Sequence, residues 1–143
     1  MKVMQVAVRK MRSEEIEQVD QLYEQYLTIK ASRASVLRKA VERDDSEMLV
    51  AEKQGNIVGV IHQVFYWDPL HNGRCSNILY LYVAEPFRRQ KIGRLLLDSA
   101  LRSAAERGVI EVHVSTRAEN LPAIKLYEKA RFEHAGPLFE YAP

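Results

Sequence analysis

The second half of the chain contains the stretch Tyr80-Leu81-Tyr82-Val83-Ala84-Glu85-Pro86-Phe87-Arg88-Arg89-Gln90-Lys91-Ile92-Gly93-Arg94-Leu95-Leu96-Leu97. It is typical of an apolar strand, a turn opened by Glu-Pro, a basic loop that ends in glycine, and an apolar helix. The N-terminus of a helix leaves backbone N–H groups unpaired and carries a partial positive charge. Because the loop brings Arg88, Arg89 and Lys91 to that point, we expect it to bind a phosphate or pyrophosphate.

The length and net charge of the whole chain indicate an ordinary globular protein. The chain has 143 residues, and we predict a single domain over residues 1–143. The net charge is only +2, from 21 basic and 19 acidic side chains, which does not favour nucleic acid as a partner. The uncharged run at 55–67 is shorter than the roughly 20 apolar residues that a membrane span needs. No signal-peptide pattern is visible at the N-terminus, so we expect no membrane partner.

Cysteine usage points to the cytoplasm. Cys75 is the single cysteine, which excludes an intrachain disulfide and any metal site built from several cysteines. A lone thiol is typical of a reducing compartment. We therefore predict a cytoplasmic protein without a bound metal ion.

The hydrophobic periodicity and turn residues predict ten elements in the order β-α-α-β-β-β-α-β-α-β. A strand-helix-strand crossover, from Cys75 to Ser115, implies two parallel neighbours in a sheet that is otherwise mostly antiparallel. We expect a mixed α/β fold with a twisted sheet and helices on both faces. The predicted elements are strands at Met4 to Lys10, Glu47 to Lys53, Ile57 to Trp67, Cys75 to Val83 and Ile110 to Ser115, helices from an N-cap at Ser13 to about Lys30, at Ala34 to Glu42, Ile92 to about Arg107 and Pro122 to Lys129, and one or two last strands within Phe132 to Tyr141.

Two motifs resemble those of the GNAT superfamily of acyl-CoA-dependent N-acyltransferases, over nearly the whole chain. The first is Arg88-Arg89-Gln90-Lys91-Ile92-Gly93, which is similar to the family's Gln/Arg-x-x-Gly-x-Gly/Ala pyrophosphate motif, with Lys91 in place of the first glycine. The second is Asn120-Leu121-Pro122-Ala123-Ile124-Lys125-Leu126-Tyr127-Glu128-Lys129-Ala130-Arg131-Phe132, which is similar to Asn-x-x-Ala-x-x-Leu-Tyr-Glu-Lys-x-Gly-Phe, with Arg131 in place of glycine. Either motif alone is weak, and the two in order are specific.

The resemblance implies a GNAT-like fold and acetyl-CoA, or another short acyl-CoA, as co-substrate. Its pyrophosphate would bind the amides of the basic loop, and its pantetheine arm would pair like an extra strand with the end of the fourth strand. Asn120 would donate a hydrogen bond to the arm or accept one from it. The implied cofactor-binding residues are Leu81, Tyr82, Val83, Arg88, Arg89, Gln90, Lys91, Ile92, Gly93, Arg94 and Asn120.

The resemblance also implies a reaction, in which an amine attacks the thioester directly. Tyr127 occupies the family's usual position for the acid that protonates the leaving thiolate. Many relatives place a glutamate on the fourth strand, but the corresponding positions here are Leu79 and Asn77. We therefore expect water relayed by Tyr80, Tyr82 or backbone carbonyls, with His62 and His113 as outside candidates for the base. All four side chains have plain structural alternatives, as pocket wall, core or satisfied strand histidines.

Two functions remain open from the sequence. The first is an N-acetyltransferase that transfers an acetyl group from acetyl-CoA to an amine. The alternative is an acyl-CoA-binding sensor or regulatory module without turnover, which the missing carboxylate favours and the retained Tyr127 opposes. The sequence does not identify the acceptor amine, the preferred acyl-chain length or the oligomeric state, although the resemblance makes a homodimer possible.

Overall fold

A computed structural model describes residues 5–27 and 31–143, except for the side chain of Tyr26. The chain divides into two compact units, residues 1–113 and 114–143, and each is described by itself. The first unit contains three helices, α1 (Ile16–Tyr26), α2 (Ala34–Glu42) and α3 (Ile92–Glu106). It also contains five strands, β1 (Val6–Lys10), β2 (Ser46–Lys53), β3 (Asn56–Asp68), β4 (Gly73–Val83) and β5 (Val109–Val114), of which only the last residue of β5 falls in the second unit. The second unit contains α4 (Leu121–Lys129).

The five strands form one sheet in the order β1-β2-β3-β4-β5. Neighbours from β1 to β4 are antiparallel, and short turns join β2 to β3 and β3 to β4. At the other edge, an ideal Cβ on Gly73 would lie 2.5 Å from Cδ1 of Ile110, so the beginnings of β4 and β5 are adjacent. Two neighbouring strands that begin at the same end run in the same direction, which confirms the predicted mixed sheet.

Helices pack on both faces of this sheet. On one face, α1 and α2 cover a core that includes Val19, Leu37, Val60 and Tyr82, all buried. On the other face, α3 presents its buried side chains, and Leu96 comes so close to Gly59 that an added Cβ there would lie 3.0 Å from it. Gly59 pairs with Val83 at the end of β4, so the missing side chain lets the first turns of α3 approach the sheet.

A buried carboxylate also joins α3 to the sheet. Glu47 on β2 is buried and accepts hydrogen bonds from Gln63 Nε2 (2.9 Å) and from Ser103 Oγ (2.6 Å). Arg107 Nη2 lies 3.2 Å from the same carboxylate. Because a buried charge is tolerated only when it is paired and hydrogen-bonded, these contacts fix the last turns of α3 over β2 and β3.

Three sequence predictions differ from the structure. Ser13 is not the N-cap of α1, because Ser13–Glu15 forms a 3-10 turn and the Glu15 carboxylate accepts from the Arg12 N–H (2.8 Å). The helix ends at Tyr26 rather than near Lys30. No strand forms in residues 130–143, all of which the structure describes, since Gly136 and Pro137 interrupt any ladder. Met4 and residues 28–30 lie outside the described residues.

Candidate acyl-CoA site

The basic loop after β4 forms a tight turn in front of α3. After Val83, a 3-10 turn at Glu85–Phe87 redirects the chain, and α3 begins at Ile92. Arg89 and Lys91 both adopt positive φ angles, 62° and 63°. That left-handed conformation is unfavourable for residues with a Cβ. It turns consecutive N–H groups towards one side, as in anion-binding nests.

The amides of this turn have no acceptor within the described part of the chain. The first hydrogen bond of α3 runs from the Leu95 N–H to the Lys91 carbonyl oxygen (3.1 Å), and the N–H groups of residues 89–94 are unpaired. Ile92 is buried and anchors the first turn of the helix against the sheet. Unpaired amides, the positive end of the α3 dipole and exposed basic side chains together favour an anion.

Side chains hold the loop in place around these amides. Arg88 Nε donates to the Val83 carbonyl oxygen (2.9 Å), and its guanidinium lies 5.3 Å from the centre of the Tyr82 ring. Lys53 Nζ donates to Gln90 Oε1 (2.5 Å). Arg94 pairs with Asp98 one turn along α3 (2.9 Å). The loop is therefore tied to β4 and to β2 without using its own backbone N–H groups.

The end of β4 is bent and lined by aromatic rings. His62 pairs with Tyr80 and Gln63 pairs with Ile78, so Leu79 is an extra residue that makes a β-bulge in β4. Beyond the bulge, Tyr80 stacks on Tyr23 of α1, with ring centres 4.2 Å apart, and on Tyr82 at 6.0 Å. This packing assigns both strand tyrosines to a wall between β4 and α1.

Both strand histidines that the sequence analysis named as candidate bases have polar partners in the structure. His62 Nε2 shares a hydrogen bond with Ser46 Oγ (2.8 Å), and burial lowers the pKa of His62. His113 contacts Tyr66 through Nδ1 (3.2 Å) and Glu111 through Nε2 (3.1 Å). His62 is thus neutral near pH 7 and able to accept a proton. His113 belongs to a separate cluster that includes Glu111, a residue that the sequence analysis did not single out.

The second unit holds Asn120 and Tyr127 on one short helix. Asn120 is the N-cap of α4, and its Oδ1 accepts from the Ala123 N–H (3.3 Å). The helix ends in a Schellman motif, in which the Arg131 N–H donates to the Glu128 carbonyl oxygen and the Phe132 N–H donates to that of Tyr127. The motif sets the Phe132 ring edge-on to Tyr127, with centres 5.6 Å apart.

The environment of Tyr127 keeps its phenol protonated. Burial raises the pKa of Tyr127 above its ordinary value. A phenol with a raised pKa holds its proton through the neutral range, so it can donate a hydrogen bond or a proton but cannot act as a base. This property is the one that the predicted acid role requires.

The fold and the loop define the class of protein. The family model described as Acetyltransferase (GNAT) family matches residues 5–132, and the chain belongs to that family. The match runs from the start of the first strand through both sequence motifs, up to Phe132. It confirms the resemblance on which the sequence-based expectations rest.

Individual relatives are acetyltransferases by name. N-acetyltransferase family 8 member 3 of Rattus norvegicus is 29% identical over 79% of this chain and 50% of that protein. The putative ribosomal protein bS18-alanine N-acetyltransferase of Bacillus subtilis is 27% identical over 91% of this chain and 82% of that protein. The chain thus spans about half the length of the first relative and most of the second.

Solved structures share the fold. The aminoglycoside N-acetyltransferase AAC(6')-Iy in complex with CoA aligns with a TM-score of 0.88 at 17% identity, over 99% of this chain and 97% of that chain. At this identity the likeness establishes the architecture alone. No helix within residues 5–27 and 31–143 has the length and apolar character needed to cross a bilayer.

Proposed function

We propose that this protein is an N-acetyltransferase that transfers an acetyl group from acetyl-CoA to an amine. The observation that carries the proposal is the row of amides at residues 89–94 that have no acceptor among residues 5–27 and 31–143, at the N-terminus of a 15-residue helix. A diphosphate is a chemical match for such a row, because it supplies several charged acceptor oxygens to donors already in place. Membership of the acetyltransferase family supports coenzyme A as the molecule that bears it.

We infer that the pyrophosphate and the pantetheine arm of coenzyme A would bind to different parts of this site. Its pyrophosphate would bind the amides of Arg89 to Arg94, with Arg88 and Lys91 adding charge. Its pantetheine arm would pair with the backbone of Leu81, Tyr82 and Val83. Since the Val83 carbonyl oxygen already accepts from Arg88, we place the arm's main hydrogen bonds one or two residues earlier. Asn120 remains a proposed partner of the arm through its amide NH₂, because its Oδ1 caps α4.

The chemistry then needs proton transfers at both ends, because the protonated amine loses one proton before it attacks and a second as the amide forms, and the leaving thiolate gains one. The thioester supplies the activated acetyl group, and the attacking amine must lose a proton, since a lysine-like amine has a pKa of about 10.4. No carboxylate stands at Leu79 or Asn77 on β4, so we propose that water carries this proton away, passing Tyr80 or Tyr82 or neutral His62. Tyr127, protonated through the neutral range, would give its proton to the leaving thiolate.

The proposed acceptor is a primary amine. The names of the relatives point to ribosomal protein alanine for the Bacillus protein and to aminoglycosides for AAC(6')-Iy. Both acceptors present an amine to the thioester, and the same chemistry at β4 serves either. An acceptor screen that combines peptides with N-terminal alanine, aminoglycosides and small polyamines covers both.

The test is thiol release from acetyl-CoA with this acceptor panel, with mass spectrometry to detect the acetylated product. We expect Tyr127→Phe to lower kcat by about 10²–10⁴-fold while leaving the Kd for CoA unchanged. Tyr141→Phe is the matched control, because Tyr141 is almost fully exposed, and we expect wild-type kinetics. Tight CoA binding without thiol release for any amine would instead support the sensor module.

A further inference from the structure

A cluster of histidines and carboxylates lies where the β3–β4 loop meets β5. His71 Nδ1 lies 2.5 Å from Asp68 Oδ2, and His71 Nε2 lies 3.1 Å from Glu111 Oε2. His113 Nε2 lies 3.1 Å from the other carboxylate oxygen, Glu111 Oε1. One ligand atom from each of His71, Glu111 and His113 falls within 4.8 Å of those of the other two. All of these residues belong to the first unit.

Both imidazole rings are oriented in the same way. Each ring uses Nδ1 for a supporting partner, Asp68 for His71 and the Tyr66 hydroxyl for His113. Each ring then directs Nε2 at Glu111. In metal sites a ligating histidine typically holds its second nitrogen on a carboxylate or other polar group, which fixes the ring and its tautomer. Here two such rings converge on one carboxylate.

We propose that His71, Glu111 and His113 form a binding site for a divalent transition metal ion of the zinc type. Imidazole nitrogens and a carboxylate oxygen are preferred ligands of Zn²⁺, at about 2.0–2.2 Å. Two ligands at that distance and at a tetrahedral angle are about 3.3 Å apart, and the two nitrogen–oxygen distances here are 3.1 Å. These distances run to the two different oxygens of Glu111, and the three ligand atoms lie within 4.8 Å of one another, so the side chains must move closer together to bind one ion.

Access from solvent favours the set His71, Glu111 and His113 over a second set of possible ligands nearby. Asp68, His71 and Cys75 also lie close enough to share an ion, but Cys75 is fully buried. His71 and Glu111 keep 36% and 44% of their side-chain surface exposed, so an ion has access from solvent. Three protein ligands leave a fourth position for water.

The site is separate from the proposed acyl-CoA site. It lies at the end of the sheet where β4 begins, at Gly73, and the basic loop follows the other end of β4, at Val83. Ten residue steps of a fully extended strand span at most about 33 Å, and the bulge in β4 shortens that span. A bound ion would fasten the β3–β4 loop to β5. The inference does not depend on acetyl transfer, and it differs from the sequence-based expectation of no metal.

The test is calorimetric titration of the tag-free, metal-free protein with ZnCl₂. We expect one ion per chain and an affinity that falls by about tenfold or more in each of His71→Ala, His113→Ala and Glu111→Gln. Asp68→Asn should weaken binding by about tenfold, because it loosens the His71 ring. His134→Ala is the matched control, since His134 is an exposed histidine that lies beside a single carboxylate, and we expect no change.

Two further readouts keep the proposal falsifiable if a variant is unstable. Trp67 is the single tryptophan and adjoins Asp68, so saturable quenching of its fluorescence by Co²⁺ reports on this site directly. Zinc should also raise the Tm of the wild type and of His134→Ala, and should not raise that of His71→Ala. No binding by the wild type at millimolar zinc, or equal affinity in wild type, His71→Ala and His113→Ala, would overturn the proposal.

Discussion

Lys91 and Arg131 have left-handed backbones, with φ of 63° and 70°. They are the two positions at which this chain has a basic residue where the GNAT motifs have glycine. The backbone has kept the conformation of glycine although the side chain has changed, so the turn before α3 and the end of α4 are preserved. A glycine-to-lysine departure in the motif therefore does not argue against phosphate binding.

Restoring glycine at the end of α4 should stabilise the protein. Arg131 is the residue after the helix cap, and a side chain in the left-handed region costs about 1 kcal/mol. We expect Arg131→Gly to raise the free energy of unfolding by up to about 1 kcal/mol, as measured by urea denaturation.

The same change in a helix interior provides the control for Arg131→Gly. Arg102 is exposed in the middle of α3, where glycine should lower the free energy of unfolding by about 1 kcal/mol. Loss of stability in both variants would show that the left-handed backbone at Arg131 carries no strain.

At the scale of elements, an ion-pair network joins β1 to the start of α1. Arg9 binds both oxygens of Glu15, with Nη1 at 2.8 Å and Nη2 at 2.6 Å, and its Nε binds Glu52 of β2 at 2.8 Å. The hydrogen bonds from Arg9 are the main cause of a lowered pKa at Glu15. The same carboxylate accepts from the Arg12 N–H and so closes the 3-10 turn that precedes α1.

This network predicts a specific acid sensitivity. A carboxyl group whose pKa is lower in the folded chain than in the unfolded chain stabilises the fold when it is ionised. The pKa in the unfolded chain is about 4.3, so the stabilisation is fully present above that value. The stabilisation is lost as the pH falls through the folded pKa. We expect Glu15→Gln to cost about 2 kcal/mol at pH 7 and to make stability fall less steeply than in wild type between about pH 5 and pH 3.

The exposed neighbour Glu14 supplies the control for Glu15. Glu14→Gln should change the free energy of unfolding at pH 7 by less than about 0.5 kcal/mol. The measurement is chemical denaturation at a series of pH values. A Glu15→Gln variant with the same dependence on pH as wild type would contradict the role given to the Arg9 pair.

Element prediction from sequence succeeded where periodicity was strong. The pattern from Ala34 to Glu42 predicts the observed helix, and that from Ile92 predicts α3 to within a residue. It failed where a tertiary partner decides. The Arg9 contact holds the Glu15 carboxylate at the turn before α1, where the sequence predicted a Ser13 cap. A second failure is local, because Gly136 and Pro137 interrupt the one or two strands predicted within Phe132 to Tyr141.

At the scale of the whole molecule, the two candidate sites differ in how far the sequence could predict them. The acyl-CoA loop is contiguous, so its strand, turn and helix can be read in order from Val83 to Arg94. The metal cluster joins Asp68 and His71 to Glu111 and His113, about forty residues later. Only the adjacency of β4 and β5 brings these pairs together, and neither short pattern is diagnostic alone.

The central claim is that the amides before α3 bind the pyrophosphate of coenzyme A. Gly93→Glu tests it, because a carboxylate in the first turn of α3 favours the helix dipole but repels a diphosphate. Ala105→Glu, exposed at the other end of α3, adds the same charge as a control.

The decisive measurement is calorimetric titration of these three proteins with CoA. We predict one CoA per chain with a micromolar Kd for wild type and Ala105→Glu, and no detectable binding by folded Gly93→Glu. Wild-type protein that does not bind millimolar CoA, or Gly93→Glu that binds as tightly as wild type, would contradict the account.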